Sequence, residues 1–372
     1  MTIIRIGLDT SKHLFQVHGV DDAEEPGLRR HVRRGEMETF FGKLAPARIG
    51  LEACGASHHW ARVLRGLGHE VVLPPAQYVR PGACPGEGRG QARQERRDRR
   101  VGLQPTGLTR GGVSREAMSR GPSAHGLDPW AGMRFAPVKS AEQQAALMLL
   151  KARDLLVKQR TMLINAIRGH AAEFGVVAAK GPLKVAELPR RAHAEEAGVP
   201  ELALGMPSLL SGQLDALDLK LKALESQLLA LHKHNPVSRC LATQPGIGPI
   251  GAISFALKVS DPQGFRSGRH FAAWLGLTPK ENPTGGRHRP GRISRRGDQG
   301  LRRLLVLGAT AVIRFATAGK TSSWLMNLLA RRPKKLAAPG FRRGRLALAN
   351  KMARTLWAMM VSGELYRRPR QA

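Results

Sequence analysis

Two carboxylates stand directly after short apolar, β-branched runs in the first part of the chain. Asp9 follows Ile-Arg-Ile-Gly-Leu, and Glu52 follows Arg-Ile-Gly-Leu. Carboxylates at the ends of two strands can converge on one ion, and hard oxygen ligands suit Mg²⁺. Two such ions would clamp the attacking and leaving oxygens of a phosphodiester. The alternative, an aspartate that only completes a turn after a strand, stays open.

A segment rich in Gly and Arg, residues 281–298, carries a second kind of chemistry. Thr284 places a hydroxyl directly before two glycines, and arginines follow. Such a hydroxyl could attack a phosphoryl group. The same turn could equally bind a phosphate without reacting. The residues predicted to contact nucleic acid here are Gly285, Gly286, Arg287, Arg292, Arg295 and Arg296.

A third feature is the sequence Thr-Gln-Pro-Gly-Ile-Gly-Pro at residues 243–249, which predicts a tight turn between two apolar helices. It resembles the helix-hairpin-helix motif, in which backbone N–H groups approach a DNA phosphate at a helix N-terminus. Gly246 and Gly248 would permit that approach. A simple turn between helices is the alternative reading.

The elements around Asp9 and Glu52 predict an α/β domain over residues 1–83. Strands are expected at residues 3–8, 13–20, 48–51 and 70–73. The short link 9–12 favours a hairpin between the first two strands. Residues 53–67 have helical periodicity and end at Gly68.

Long helices are predicted next, from Ser140 to about residue 174 and from about 208 to 234. In the second helix, leucines alternate at spacings of four and three: Leu210, Leu214, Leu217, Leu221, Leu224, Leu228 and Leu231. This is the seam of a coiled coil and favours an antiparallel or dimeric stalk. An ordinary amphipathic helix in a bundle is the alternative.

The last part of the chain, 236–372, is predicted to be helical and punctuated by glycine. Helices are expected at residues 301–315 and 346–361. Basic clusters at residues 331–335 and 342–343 lie between them.

Composition indicates a polyanionic partner. The 60 Lys and Arg residues against 28 Asp and Glu residues give a net charge of +32. The excess positive side chains would repel one another in a compact protein unless phosphates neutralise them. The three cysteines form no metal-binding spacing, so a zinc site is not expected. No signal peptide or membrane-length apolar run occurs, so a cytoplasmic protein with no membrane contact is expected.

Residues 84–132 differ from the rest of the chain. They are rich in Gly, Pro and Arg and show no apolar period. Composition predicts disorder there, although a structureless segment of this length is unusual inside a domain.

Several short motifs follow one another along the chain. They are Gly-Leu-Asp-Thr-Ser-Lys at 7–12, Leu-Glu-Ala-Cys at 51–54, Pro-Val-Lys-Ser at 137–140, Pro-Gly-Ile-Gly-Pro at 245–249, Ala-Ala-Trp-Leu-Gly-Leu at 272–277, Gly-Arg-Ile-Ser at 291–294 and Leu-Ala-Asn-Lys at 348–351. In this order they resemble the Piv-invertase-like DEDD insertion-sequence transposases, a family of bridge-RNA-guided recombinases. The resemblance covers nearly the whole chain except residues 84–132.

The resemblance implies a fold and a reaction. It implies a RuvC- or ribonuclease-H-like α/β domain at 1–83, a coiled-coil stalk at 139–235, and an α-helical C-terminal transposase domain at 236–372. In the family a serine attacks the DNA phosphate, and four acids bind Mg²⁺ across a subunit interface. A homodimer or tetramer and a structured guide RNA, the bridge RNA, are therefore implied as partners beside DNA.

Asp9 and Glu52 match the first two acids of the family's tetrad. The other two belong to a Lys-Asn-Asp-x-x-Asp motif shortly before Pro-Val-Lys, and this chain has no such motif. The missing motif falls in the anomalous segment, 84–138. Residues 93–100 can be spelled CGA CAA GAA CGA CGC GAC CGA CGC. Read one nucleotide later, these codons give Asp-Lys-Asn-Asp-Ala-Thr-Asp, so a frameshift is our hypothesis.

The family's serine is also missing. It stands first in Ser-Ser-Gly-Gly or Ser-Thr-Gly-Gly, where this chain has Pro283 before Thr284. Thr284 is then the remaining candidate nucleophile, and Ser294 matches a structural element of the family. We predict a transposase whose present copy is inactive. The alternatives are a non-catalytic DNA- or RNA-binding remnant and a RuvC-like nuclease that uses acids alone.

Overall fold

The structure is a computed structural model. It describes residues 3–10, 13–23, 25–74, 135–179, 181–192, 198–281, 290–316, 323–331 and 339–367. The chain divides into two units, Met1–Glu142 and Gln143–Ala372. Most of the anomalous segment, including all of 84–132, lies outside the described residues. The predicted division at 83, 138 and 235 stays a prediction.

The first unit is built on a five-stranded sheet in the order β3-β2-β1-β4-β5. The strands are β1 (Arg5–Asp9), β2 (Leu14–Val20), β3 (Pro26–Arg33), β4 (Arg48–Leu51) and β5 (Glu70–Val72). β1 and β2 form the predicted antiparallel hairpin, while β4 runs parallel to both β1 and β5. The helices are α1 (Met37–Gly42), preceded by a 3₁₀ turn at Arg34–Glu36, and α2 (Ser57–Gly66). Mixed α/β architecture is therefore confirmed.

The core of this unit lies between the sheet and α2. Leu8 and Leu51 are fully buried, and Phe15 packs its ring edge-on to Trp60 at 5.1 Å between centroids. Alternate residues of β1 and β4 point to opposite faces of the sheet. Because Leu8 faces inward, Asp9, the last residue of β1, projects to the other face, while Glu52 directly follows the end of β4.

Two long helices come first in the second unit: α3 (Ala141–Glu173), which starts two residues before the boundary between the units, and α5 (Glu201–His234). Two ion pairs join them, Arg153–Glu225 at 2.6 Å and Arg160–Asp218 at 2.5 Å. From Arg153 to Arg160 the residue number rises along α3, while the number of the bonded residue on α5 falls from 225 to 218, so the two helices are antiparallel. The a/d leucines of α5 are buried or half-buried. A short 3₁₀ turn, Pro182–Glu187, and helix α4, Leu188–Ala192, lie between the two.

The predicted start of α5 near residue 208 is wrong, because the helix begins at Glu201 and contains Pro207. A proline inside a helix removes one backbone hydrogen bond, which is why the sequence favours a later start.

The rest of the second unit packs helices around one apolar core. The helices are α6 (Pro236–Leu241), α7 (Pro249–Lys258), α8 (Gly268–Trp274), α9 (Gln299–Arg314), α10 (Ser323–Arg331) and α11 (Pro339–Ser362). A two-stranded antiparallel sheet, β6 (Pro279–Glu281) with β7 (Pro290–Ile293), interrupts them. None of the described helices has the length and apolar character needed to span a bilayer.

Candidate active site and nucleic-acid interface

Asp9 and Glu52 lie side by side at the carboxyl edge of the N-terminal sheet. β1 pairs with β4 in parallel register, and the last pair is Leu8 with Leu51. The next position in each strand is an acid. Neighbouring strands lie about 4.8 Å apart, so the two carboxylates share one small region, and both residues are half-buried.

The turns that follow the two strands are tied to each other. Thr10 Oγ1 lies 3.1 Å from Cys54 Sγ, which joins the residue after Asp9 to the turn after Glu52. The Cys54 amide donates to the Glu52 carbonyl at 2.7 Å, and the Ser57 hydroxyl donates to the Cys54 carbonyl at 2.9 Å as α2 begins. This link and the tight turn restrain the backbone that carries both acids.

The pair of acids offers only part of a metal site. Carboxylate oxygens are the donors that Mg²⁺ prefers, and it usually binds one or two carboxylates together with waters and phosphates. Within the described ranges, His, Cys, Asp and Glu nowhere form a group of three or more that could hold a metal ion. The donor type therefore fits Mg²⁺, while the four-acid set of the resemblance is incomplete there.

The chain also leaves and re-enters the described structure at this edge. After β5, the Pro74 carbonyl accepts from the Ala53 amide at 3.0 Å. On return, the Ala136 amide donates to the Leu73 carbonyl at 2.8 Å. Lys139 then bonds to α2, where its amide donates to His58 Nδ1 at 3.3 Å. Pro74 and Ala136, the bonded residues on either side of the undescribed segment, therefore both lie at the carboxyl end of β5, on the sheet edge that holds Asp9 and Glu52.

In the second unit, the Gly-Ile-Gly turn joins α6 to α7, as predicted. Gly246 adopts a φ of +85°, a left-handed conformation suited to glycine. A Cβ on Gly246 would lie 2.7 Å from the Gly308 carbonyl oxygen of α9. Gly248 precedes α7, and a Cβ there would meet nothing within 4 Å. Gly246 is thus required by packing, whereas Gly248 leaves open space in front of the α7 N-terminus.

The β6–β7 hairpin carries the predicted nucleophile segment. Pro283, Thr284, Gly285, Gly286 and Arg287 fall in its connection, residues 282–289, and lie outside the described residues. After β7, Arg292, Arg295 and Arg296 are exposed.

The base of this hairpin is held by close backbone contacts. The Ser294 amide donates to the Thr278 carbonyl at 2.9 Å. A Cβ on Gly276 would lie 2.3 Å from the Arg296 carbonyl oxygen. Arg295 has a φ of +56°, unusual for a residue with a side chain. The backbone bearing the exposed arginines is therefore fixed.

A charged cluster lies below the hairpin at the start of α9. Asp298 accepts from the Leu301 amide at 2.8 Å, which caps the helix, and pairs with Lys258 at 3.0 Å. Arg303 of α9 pairs with Asp154 of α3 at 2.7 Å. The cluster ties α3, α7 and α9 to each other beneath the hairpin.

The pKa of Lys351 on α11 is lowered, mainly because the side chain is partly buried and to a lesser extent because of the charge of Arg354. The Lys351 ammonium lies 3.9 Å from the centroid of the Trp324 ring. This cation–π contact covers one of the exposed tryptophans of the unit.

Sequence reasoning gave no role to three features that the structure makes prominent. These are the Thr10–Cys54 link, the Lys258–Asp298 pair and Trp274. Trp274 stands in the Ala-Ala-Trp-Leu-Gly-Leu motif, between segments rich in arginine. That position in the sequence could have indicated a nucleic-acid contact.

The comparisons with known proteins agree with one another on the family of the chain. Residues 238–323 match the family model for transposases of the IS116/IS110/IS902 family. The chain is 45% identical over 368 residues to a transposase of Sinorhizobium fredii, covering 98% of this chain and 86% of the relative. It is 39% identical to a family 20 transposase of Pseudomonas aeruginosa, covering 99% of both chains.

A further relative carries the name of its mobile element. The chain is 32% identical to the transposase for insertion sequence element IS1111A of Coxiella burnetii, over 97% of this chain and 91% of that one. These matches identify the chain as a DNA transposase, an enzyme that recombines DNA. The chain belongs to the IS110/IS116/IS902 family of insertion-sequence transposases, and the resemblance predicted from its motifs is confirmed.

Proposed function

We propose that this transposase holds Mg²⁺ at Asp9 and Glu52, on a ribonuclease-H-like sheet. The observation that carries the proposal is the register of β1 and β4, which sets the two acids side by side at one sheet edge. Ribonuclease-H-like folds place their metal-binding carboxylates at strand ends in this way. When bound, the ion would stabilise negative charge on the phosphate that reacts. The carboxylates of Asp9 and Glu52 would hold it.

The remaining acids are proposed to be lost through a frameshift in the anomalous segment. Two observations support this. The chain leaves the described structure after Pro74, which bonds to Ala53, and resumes at Phe135, directly before Ala136, which bonds to Leu73, so the segment that contains residues 93–100 is joined at both ends to the carboxyl edge of the sheet. The alignment with the Pseudomonas relative covers 99% of both chains, which argues against a long insertion. A compensated frameshift changes residue types and keeps the length.

The attacking group is proposed to be a hydroxyl carried between β6 and β7. Pro283 occupies the place of the family's serine and has no hydroxyl to deprotonate. Thr284 is the remaining candidate, one position further along. Its hydroxyl is therefore carried by a different residue from the one that carries it in the family. Because reacting atoms must be aligned closely, we propose that this copy is inactive in strand exchange.

Nucleic acid is proposed to bind across the second unit. The support is the net charge of +32 and the exposed guanidinium groups of Arg292, Arg295 and Arg296. Amides at Gly246 and Gly248 are candidates for phosphate contacts at the start of α7. A structured guide RNA and a homodimer or tetramer are proposed from the family resemblance, with the coiled-coil stalk at 139–235.

One alternative has a specific observation in its favour. In the part of the chain that the structure describes, only two acids, Asp9 and Glu52, lie at the sheet edge. Such an incomplete set of acids is what a non-catalytic DNA- or RNA-binding remnant would carry. A RuvC-like nuclease that uses acids alone is disfavoured, because the family match lies over residues 238–323.

Metal binding tests the proposal without requiring activity. Mn²⁺ binding would be followed by electron paramagnetic resonance in the full chain and in a frame-restored chain carrying Lys-Asn-Asp-x-x-Asp. We expect the frame-restored chain to bind more tightly by on the order of tenfold or more, because it supplies additional carboxylates. Asp9→Asn should remove that gain, while the exposed control Asp22→Asn should not. Equal affinity in the two chains, or no effect of Asp9→Asn, would overturn the proposed site.

A further inference from the structure

An exposed aromatic surface lies on α8, beside the hairpin. Trp274 has 38% of its surface exposed. His270 lies one helical turn earlier and is also exposed. The Phe265 ring joins them, with its centroid 5.3 Å from Trp274 and 5.8 Å from His270. Phe265 itself is half-buried against the core, so Trp274 and His270 form the exposed part of the group. Adjacent exposed aromatic rings of this kind are a candidate binding surface.

The support beneath this surface is rigid. Trp274 stacks on the buried Phe271 ring, 5.7 Å between centroids at an angle of 22°. α8 also crosses α11 closely, since a Cβ on Gly268 would lie 3.1 Å from backbone atoms of Arg354. The indole is therefore held in place before any ligand arrives, which lowers the entropy cost of stacking.

The same surface is joined to the base of the hairpin. A Cβ on Gly297 would lie 2.0 Å from the Trp274 carbonyl oxygen, so the two backbones touch. The Arg302 guanidinium donates to the Leu275 carbonyl at 2.8 Å and to the Arg296 carbonyl at 2.7 Å. Trp274 is thus fixed relative to the hairpin whose connection carries Thr284.

Charge around the aromatic surface selects the ligand. Arg266 and Arg269 neighbour Phe265 and His270 in the sequence, and all four arginines, including Arg295 and Arg296, are exposed. Arg295 and Arg296 directly precede Gly297, whose backbone touches that of Trp274. The exposed acid Asp261 is nearby in sequence and accepts from the Gly264 amide at 3.0 Å. Aromatic rings between arginines suit a ligand with flat, uncharged faces and a phosphate backbone.

We propose that Trp274 is a stacking platform for an unpaired base of the DNA strand held at the β6–β7 hairpin. A base inside a duplex hides both faces in the stack, so the platform favours single-stranded DNA over duplex. DNA is chosen because the enzyme is a DNA transposase and the platform adjoins the hairpin. The inference rests on the nucleic-acid binding proposed above for the second unit, but it requires neither the metal site nor the hydroxyl.

Binding of short oligonucleotides to the full chain tests the platform. The probe is a 15-nucleotide oligothymidylate, compared with a random-sequence duplex of the same length. Trp274→Ala should weaken single-strand binding by on the order of tenfold, since one base–aromatic stack contributes about 1–3 kcal/mol. Duplex binding should change by less than about twofold, because phosphate contacts remain. Quenching of indole fluorescence by the single strand should fall in the same variant.

Trp324 supplies a matched control. It has the same 38% exposure as Trp274 but lies on α10 under the Lys351 ammonium. Trp324→Ala should leave both affinities unchanged. Trp274→Phe should retain part of the single-strand affinity, and Trp274→Leu should lose it although it keeps apolar bulk. Circular dichroism of each variant separates loss of stacking from loss of fold.

Two results would overturn the proposal. One is an equal loss of single-strand and duplex affinity in a folded Trp274→Leu protein. The other is quenching by oligouridylate RNA but not by the DNA strand, which would assign the platform to RNA. Neither result bears on the metal site, because both measurements are made without Mg²⁺ and without strand exchange.

Discussion

A methyl group added at Gly308 tests the packing that positions the Gly-Ile-Gly turn. Gly308 lies in the middle of α9, where alanine ordinarily stabilises a helix by about 1 kcal/mol relative to glycine. Here the new Cβ would lie 2.1 Å from the Gly246 carbonyl oxygen and 3.2 Å from Met352 Cε. The first neighbour is backbone and cannot rotate away, so the turn or the helix must shift.

The expected magnitude follows from these opposing effects. Overpacking costs about 1–3 kcal/mol, and the rigid backbone neighbour here places the cost in the upper part of that range, about 2–3 kcal/mol. After subtracting the helix preference, Gly308→Ala should destabilise the second unit by about 1–2 kcal/mol. For a unit of this size that lowers the melting temperature by roughly 2–8 °C.

Thermal unfolding of the full chain, followed by circular dichroism, measures the change. Gly212→Ala is the matched control, because Gly212 lies inside α5 and a Cβ there meets nothing within 4 Å. Its melting temperature should rise by about 1–4 °C. The two variants should therefore change in opposite directions. If Gly308→Ala also stabilises the protein, the close approach of α9 to the turn is wrong.

Three further predictions concern the second unit. Gly248→Ala should leave the melting temperature unchanged, because its Cβ meets open space. It should nevertheless weaken DNA binding in a filter assay, and unchanged affinity would remove Gly248 from the interface. Arg160→Asp should lower stability to urea by about 0.5 kcal/mol, and adding Asp218→Arg should restore it, since the pair is about one-third exposed; failure of the double variant to recover would contradict the antiparallel pairing. DNA affinity should fall by on the order of a thousandfold between 50 and 200 mM salt, whereas a nearly constant affinity would contradict the basic surface.

Strands with a clear apolar pattern could be predicted from the sequence. β1, β2, β4 and β5 each have inward-facing β-branched or leucine side chains, and the predicted runs match them within a few residues. β3 was missed because it is an edge strand whose side chains, apart from Val32, are mostly exposed and polar. β6, β7 and α8 are too short to show a period.

The candidate site was only partly predictable. The sequence placed Asp9 and Glu52 at strand ends, but 42 residues lie between the two acids, and a local pattern does not give strand order or register. The adjacency of β1 and β4 arises from tertiary pairing. Gly246 was predicted to contact DNA, whereas its close packing on Gly308 depends on a helix far along the chain. Trp274 was visible as a residue, but its exposure was not.

Rescue of strand exchange tests the central claim, that this transposase lacks half of its acids and its nucleophile. Four proteins would be compared on a DNA donor and target with Mg²⁺ and the guide RNA proposed from the family resemblance. They are the natural chain, the frame-restored chain, Pro283→Ser, and the chain with both repairs. Groups that act as a unit are strongly non-additive. We expect both single repairs to stay near background and the double repair to raise strand exchange by orders of magnitude. Full activity of the frame-restored chain alone would contradict the account, because Thr284 or another hydroxyl would then be the nucleophile.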